Sequence, residues 1–338
     1  MAHRLASLSI WWFAFGYFAC YIPYSALVKA LSSGYFSWMK APMPGARLLP
    51  WSLAVSALGM FVFLGVTGIW RYAHQFKVGS FSIPRPSLGP LLSGVCTAAI
   101  IATTTLAYTF EGISIVFAML LMRGGVLLIA PVVDMLSGRH VRWFSWVGMV
   151  FSLSALVVAF MEKGSTGITL LAAIDIGIYL ASYFVRLRLM SRFAKSDDEN
   201  AQLRYFAEEQ LVGAPLSFIF ILLMALLGSG SFSQELAHGL NPMAFGSEFA
   251  LILLIGLCSQ GTGIFGGLIL LGKQENTYCV PINRSSSIMA GVLASVVLMI
   301  AFNAPAPSSY KLAGAGLIIT AILFLSIPPL LAKKKQTT

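Results

Sequence analysis

Long apolar stretches, separated by short polar connectors, make up most of the chain. A helix that crosses a lipid bilayer needs about twenty mostly apolar residues, and ten stretches meet this requirement. In chain order they cover residues 9–31, 50–72, 87–109, 112–135, 141–161, 166–188, 205–228, 247–272, 276–301 and 309–332. The first is too long and too aromatic for a secretory signal, and no small-residue cleavage pattern follows it. The pattern predicts an all-α integral membrane protein with ten transmembrane helices.

The composition indicates a lipid environment. Of the 338 residues, 58% are hydrophobic and 10% are charged, whereas soluble domains carry about 25% charged residues. The net charge of +10 comes from basic residues in short connectors, with no basic patch interleaved with aromatic residues. We therefore expect a lipid bilayer, and no nucleic acid, as partner. No metal-ligand cluster, phosphate-binding loop or catalytic motif occurs in the sequence, so it predicts no cofactor and no enzyme.

The basic residues also predict the orientation. If the N-terminus lies in the cytoplasm, 15 of the 22 Lys and Arg residues, Arg186 among them, fall in cytoplasmic segments and 5 fall outside, while Arg123 and Arg284 lie within helices. Cytoplasmic loops carry the excess of Lys and Arg, so both termini are predicted to be cytoplasmic. The plasma (inner) membrane is the expected location.

A short connector, "MEKGSTG", separates the first five predicted helices from the last five. Because five is odd, the second half must run through the membrane in the opposite orientation, as inverted repeats of transporters do. A shift of 161 residues places Arg123 on Arg284. The sequence therefore predicts two inverted five-helix repeats, residues 1–162 and 163–338.

Two arginines lie inside apolar stretches. Arg123 is about eleven residues into the fourth stretch, near the bilayer midplane at ~1.5 Å per residue, where a charge costs at least about 2.5–3.5 kcal/mol on insertion. Arg284 follows Asn283 in the ninth stretch, and three serines come directly after it. Each guanidinium needs a wet cavity, a bound anion or an acidic partner. We predict that Arg123, Arg284 and Asn283 bind substrate; ion pairs that lock helices together are the alternative.

Other polar positions extend this prediction. Asp175 is interpreted as the only acid well inside a helix, with Tyr179 on the same helical face. It would serve as a counter-ion to an arginine, or as a proton or cation site. Tyr21 and Tyr108 are candidate cavity residues, with an interfacial aromatic belt as the alternative. Asp134, at the end of the fourth stretch, is interpreted as an ordinary interfacial charge.

The segment "MRGGVLLIAPVVDMLSGRHVRWFSWVGMVFSLSALVVAF" resembles the fourth and fifth helices of the drug/metabolite transporter superfamily, which is EamA-like. The Arg123-Gly124 pair, the Gly138-Arg139 turn and a fifth helix marked by Trp146 and Gly148 carry the resemblance. The likeness is closest to the nucleotide-sugar and triose-phosphate branch and related solute carriers. It implies ten helices in two inverted repeats, around a central substrate site.

The sequence and the resemblance together predict a secondary transporter that works by alternating access. Its substrate is expected to be a small organic anion, phosphorylated or carboxylated, moved by exchange or coupled transport. One alternative is an exporter of a neutral or zwitterionic metabolite, in which the arginines are structural. Another is a membrane scaffold or enzyme that does not transport. The sequence leaves the oligomeric state open.

Overall fold

The computed structural model describes residues 8–39, 41–78, 81–106, 115–161, 170–196, 198 and 200–336, and these are almost entirely helical. The α-helices are α1 (Ile10–Ser33), α2 (Gly45–Thr67), α3 (Leu88–Leu106), α4 (Ile115–Leu136), α5 (Trp143–Met161), α6 (Leu170–Phe193), α7 (Ala201–Leu227), α8 (Ser231–Leu240), α9 (Glu248–Leu270), α10 (Asn276–Phe302) and α11 (Ser309–Gln336). Short 3-10 helices cover Ile69–Tyr72 and Pro242–Ala244, and a hairpin pairs β1 (Gln75–Val78) with β2 (Phe81–Pro84) in antiparallel register.

Within the described residues, every α-helix except α8 coincides with a predicted stretch to within about five residues at each end. Local sequence explains several ends. The Ser9 side chain accepts the N–H of Trp11 at the start of α1, and Gly34 ends that helix with φ of 66°. Gly68 ends α2 in the same left-handed conformation, with φ of 72°. The helix α8 and the β-hairpin are not among the predicted elements.

Apolar side chains lie on the outside of the molecule as well as inside. In the described part of the chain, α2, α6, α7, α9 and α10 are each long and apolar enough to cross a membrane. On α4, Val126 and Leu127 are fully buried, yet Leu128, Val132 and Met135 on the opposite face are about half exposed or more. Apolar rows of this kind are stable against lipid and not against water. The prediction of a multi-pass, all-α membrane protein is confirmed.

The helices form a bundle around a central space. The helix α1 lies against α9 and α10, and α3 lies against α6 and α7. The helices α2 and α9 contact each other, as do α4 and α10, and α5 is paired with α11. This arrangement places polar residues of α3, α6, α7, α9 and α10 around a common interior.

The two ends of the bundle differ. At one end α4, α6 and α9 finish and α5, α7 and α10 begin, and side-chain hydrogen bonds join these termini tightly; we name this the closed end. Residues at the start of α1 also lie at this end, beside the start of α7. At the other, open end, α8 packs against the start of α2. Gly239 makes this contact possible because a Cβ there would lie 2.5 Å from the Arg47 carbonyl oxygen.

Candidate functional site

A central cavity of about 870 Å³ leads from the open end toward the closed end. Residues of α1, α2, α3, α6, α7, α8, α9 and α10 line it. Near the open end the wall includes Phe232 and Glu235 of α8, and the deep part includes Arg186, Asn283 and Arg284. Much of the remaining wall carries hydroxyl and amide groups, namely Ser52, Ser56, Thr97, Thr104, Gln210, Ser217, Ser259, Gln260 and Thr262. The volume is that of a small-molecule site.

Arg284 is the unusual residue of the cavity wall. Its side chain is buried, and its Nε and Nη2 atoms have no hydrogen-bond partner among the described residues. No carboxylate in that part of the chain forms an ion pair with it. The guanidinium carbon lies 5.0 Å from the ring centroid of Tyr183, which is a cation–π contact. Because a buried charge without an ionised partner is costly, this position favours an anionic ligand.

The residues around Arg284 hold its helix in place. Ser285 Oγ lies 3.1 Å from Ser152 Oγ of α5, while Ser286 and Ser287 donate to carbonyl oxygens of α10 itself. The hydroxyls of these serines are therefore used in hydrogen bonds within α10 and to α5, and they are not free to donate to a ligand. Gly266 of α9 allows a close approach on the other side, because a Cβ there would lie 3.2 Å from Asn283 Nδ2.

Arg123 lies outside the cavity wall. Its side chain is half-buried, and Nη2 donates to the Tyr21 hydroxyl at 3.1 Å. The Tyr21 ring stacks on Tyr17 with 5.5 Å between centroids, and Tyr17 lines the cavity. Arg123 and Arg284 are also close enough for their like charges to repel each other. Sequence reasoning treated the two arginines as equivalent, but the structure brings only Arg284 to the cavity and separates Arg123 from it by tyrosines.

Asp175, the acid predicted to be the counter-ion of an arginine, is not placed beside Arg123 or Arg284. Asp175 is buried on α6, both of its carboxylate oxygens lack hydrogen-bond partners among the described residues, and it forms no ion pair with Arg123 or Arg284. Tyr179 is buried next to Tyr183, with 4.9 Å between ring centroids. The structure therefore places Asp175 and Tyr179 on one inward face, as predicted, without joining Asp175 to an arginine. Tyr108 lies outside the described residues.

A buried ion pair beside the cavity was missed by the sequence analysis. Arg186, which was counted as a connector residue, lies inside α6 and lines the cavity. Its Nε and Nη2 donate to the two oxygens of Glu209 at 2.7 and 3.1 Å. Glu209 and its neighbour Glu208 are fully buried within α7. The interpretation of Asp175 as the only acid well inside a helix is therefore wrong. The adjacent glutamates in an otherwise apolar stretch were the available signal.

Glu208 points away from the cavity and fixes the chain that enters α3. Its two oxygens accept the backbone N–H groups of His74 and Ser87 at 2.9 and 2.7 Å, on either side of the β-hairpin. The His74 Nδ1 atom and the Ser87 hydroxyl also contact this carboxylate. Glu208 is therefore a structural anchor for the hairpin.

The closed end is sealed by a carboxylate that caps a helix of the other half. Asp134 of α4 is fully buried and accepts four hydrogen bonds from the first turn of α10. The donors are the backbone N–H and side-chain groups of Asn276 and Thr277, at 2.7 to 2.9 Å. The α10 N-terminus needs such acceptors because its first N–H groups have no partner within the helix. The interpretation of Asp134 as an ordinary interfacial charge is wrong.

Further ionic contacts complete this seal. Glu275 accepts from Arg142 Nε at 2.8 Å and from the Ser145 hydroxyl at 2.6 Å. These hydrogen bonds outweigh the effect of burial and lower the pKa of Glu275. Lys195 Nζ donates to the Gln274 carbonyl and to Asn276 Oδ1, both at 2.8 Å, and burial lowers the pKa of its amine. The cavity is thus blocked from the closed end by a layer of satisfied polar groups.

The fold and the cavity define a multi-pass, all-α membrane protein with a central, positively charged pocket open at one end. A similar solved structure, described only as "Crystal structure of protein", has a TM-score of 0.61 and 17% identity, covering 95% of this chain and 96% of that chain. At this identity the likeness concerns the fold alone. No family model and no curated protein sequence matches the chain.

Proposed function

We propose that the protein is a secondary transporter of the drug/metabolite type that carries a small organic anion by alternating access. The observation that carries the proposal is Arg284, a buried guanidinium on the cavity wall with two unpartnered nitrogen atoms among the described residues. Both nitrogens are buried in this conformation, so a phosphate or carboxylate of the substrate would accept hydrogen bonds from them once the side chain turns toward the cavity, because the planar fork of arginine matches two oxygens. Asn283 adds an amide beside it.

The proposal includes ten transmembrane helices in two inverted repeats, and the helix contacts support it. If α6, α7, α9, α10 and α11 repeat α1 to α5, the contact of α1 with α9 corresponds to that of α6 with α3. Likewise α1 with α10 corresponds to α6 with α4, and α2 with α9 corresponds to α7 with α3. All of these pairs are in contact. Inverted repeats place the substrate site where the halves meet.

In the proposed orientation the closed end is cytoplasmic and both termini lie on that side, in the plasma (inner) membrane. Moving Arg186 from the connectors into a helix leaves 14 basic residues on the cytoplasmic side against 5 outside, so the bias persists. The cavity then opens outward. Transport requires the seal around Asp134 and Glu275 to open while the open end closes.

A counterflow assay in proteoliposomes tests the proposal. Organic phosphates and carboxylates, amino acids and organic cations are offered to the purified protein, and exchange of the anions is expected. Arg284→Ala should weaken anion binding about 10- to 100-fold, because a charge-assisted hydrogen bond contributes about 1.5–3 kcal/mol. Arg284→Lys should impair it as well, since a point charge replaces the fork. The matched control is Arg204→Ala, which removes an arginine paired with Asp198 outside the cavity wall.

A stability measurement separates ligand binding from a structural role. Because Arg284 has no acidic partner in the described part of the chain, the volume-matched Arg284→Met should melt at the same or a higher temperature while losing anion binding. A large loss of stability would assign Arg284 a structural role. Anion exchange that survives Arg284→Ala would refute the proposal. Exchange of amino acids alone would favour a zwitterion exporter, and absence of flux with every solute would favour a scaffold or enzyme.

A further inference from the structure

The cavity wall carries a second cation, Arg186, whose charge is neutralised by the carboxylate of Glu209. Arg186 donates to Glu209 through Nε and Nη2, and no hydrogen bond of its Nη1 is found among the described residues. Nη1 is also not among the buried atoms that lack a partner. The side chain lines the cavity and is 8% exposed, so Nη1 is the guanidinium nitrogen left to meet a ligand there. One edge of the guanidinium is therefore bound to protein and the other is open to a ligand.

Glu209 also has hydroxyl donors on α3, and one of them belongs to a residue that lines the cavity. Besides Arg186, it accepts from the Ser93 hydroxyl and from Thr97 Oγ1, both on α3. Its carboxylate is fully buried and does not line the cavity. Titratable groups from three helices surround the pair of Arg186 and Glu209 and interact with it electrostatically. They are Cys96 of α3, Tyr183 of α6 and Tyr205 of α7. Glu208 points to His74 and Ser87 and takes no part.

The position of the pair connects it with the anion site. Arg186 follows Tyr183 by one turn of α6, and Arg284 stacks over the Tyr183 ring. The two guanidiniums therefore flank one tyrosine at the deep part of the cavity. While Glu209 is ionised, it neutralises Arg186, and Arg284 supplies the uncompensated charge of the wall. If Glu209 takes up a proton, Arg186 becomes a second uncompensated charge.

We infer that Arg186 and Glu209 form a proton-linked second anion subsite, so that the substrate carries two negative groups and binds together with one proton. This inference rests on the proposed function. One anionic group binds Arg284, and the second binds Arg186 as Glu209 takes up a proton from the solvent. The Thr97 hydroxyl, which lines the cavity and contacts the carboxylate, provides the route for this proton. The Ser93 and Thr97 hydroxyls remain to bind the neutral carboxyl group. The charge of a dianion is then balanced by Arg284 and Arg186.

The other ion pairs of arginine with glutamate do not have these properties. The pair of Arg47 and Glu235 is about one-third exposed, and Arg142 with Glu275 lies at the closed end away from the cavity wall. A pair that served only to lock helices would have no reason to present a free guanidinium edge to the cavity. Arg186 does so one turn from the ring that contacts Arg284.

The test compares two probes that stay ionised at every pH used, benzene-1,3-disulfonate and benzenesulfonate. Binding to the purified full-length protein is measured as the ligand-induced rise in melting temperature across a pH series. For the wild type, disulfonate affinity should rise about tenfold for each pH unit of acidification, since one proton is taken up on binding. Monosulfonate affinity should not change with pH. Glu209→Gln should bind the disulfonate without pH dependence and at least as tightly as the wild type does in acid.

Two further variants keep the test decisive. Asp198→Asn, the control, removes an exposed acid that is paired with Arg204 away from the cavity, and it should behave as the wild type. If Glu209→Gln does not fold, the neutral pair Arg186→Gln with Glu209→Gln should bind the monosulfonate but lose the preference for the disulfonate. A wild-type pH slope that survives in Glu209→Gln, or an unchanged disulfonate preference in the double variant, overturns the inference. Anion binding that depends on Arg284 but shows no pH slope would refute the second subsite alone. Failure of both probes to bind would refute the proposed function with it.

Discussion

Asp134 offers a direct measure of how much the seal at the closed end contributes to stability. Asp134→Asn changes one carboxylate oxygen into an NH₂ group and keeps the volume, so no cavity forms. Each oxygen of Asp134 accepts two hydrogen bonds, one pair from Asn276 and the other from Thr277. The asparagine can satisfy one pair of donors, and its own NH₂ group then faces the other pair.

The expected cost follows from those contacts. Two hydrogen bonds to a charged, fully buried acceptor are lost, at about 1.5–3 kcal/mol each, and removing one member of a buried charged set usually costs about 3–5 kcal/mol. We therefore expect the free energy of unfolding to fall by about 3–5 kcal/mol. At roughly 2 °C for each kcal/mol in a chain of this size, the melting temperature should fall by roughly 6–10 °C.

Two assays report this change, one global and one local. The melting temperature of the detergent-solubilised protein gives the global effect, and Asp198→Asn is the control because Asp198 is an exposed acid paired with Arg204. The local probe is Cys279, which is fully buried with its sulfur 3.8 Å from Lys195 Nζ. In a variant that keeps no other cysteine, Asp134→Asn should accelerate maleimide labelling of Cys279. A melting temperature within 1 °C of wild type, with unchanged labelling, would refute this account of the seal.

Two further predictions follow from contacts at the cavity and at the closed end. Gly266→Ala should weaken anion binding and cost about 1–3 kcal/mol of stability, because its Cβ would lie 3.0 Å from the Tyr17 ring. Gly263→Ala is the matched control, since no atom of the described residues lies within 4 Å of its Cβ, and equal melting temperatures for the two variants would contradict the prediction. Acidification should destabilise the closed end. The hydrogen bonds from Arg142 and Ser145 lower the pKa of Glu275, so the stability that its ionised carboxylate contributes is lost as pH falls through its folded-state pKa. Glu275→Gln should therefore reduce the fall of the melting temperature in acid.

The helices could be predicted from sequence because the length and apolar character of each run are enough to indicate a membrane-spanning helix. The ends were less certain, since polar residues in the last turns can be paired inside the protein. Arg186 shows the consequence. The predicted helix stopped at residue 188, so Arg186 was placed at a membrane surface, whereas α6 extends to Phe193. The α8 helix was missed because it is short and its buried face consists of Ser233, Leu236 and Gly239, two of which are small.

The partners of the charged residues could not be predicted. Glu209 follows Arg186 by 23 residues, and Asn276 follows Asp134 by 142, so neither pair has a helical spacing. The difference between Arg123 and Arg284 depends on the rotation of each helix about its axis, which apolar stretches do not define. Apolar residues on both faces of α4 leave no pattern that would show which side Arg123 occupies.

The cap of α10 by Asp134 also has a consequence for biosynthesis. Asp134 is synthesised 142 residues before its first partner, so its carboxylate stays without that partner while α5 to α9 are synthesised and inserted. During that time it has none of the donors that stabilise it later, and the N-terminal half cannot mature by itself. We expect the halves to be poorly stable when produced separately and to rescue each other when coexpressed, since the C-terminal half supplies in trans the helix end that Asp134 lacks.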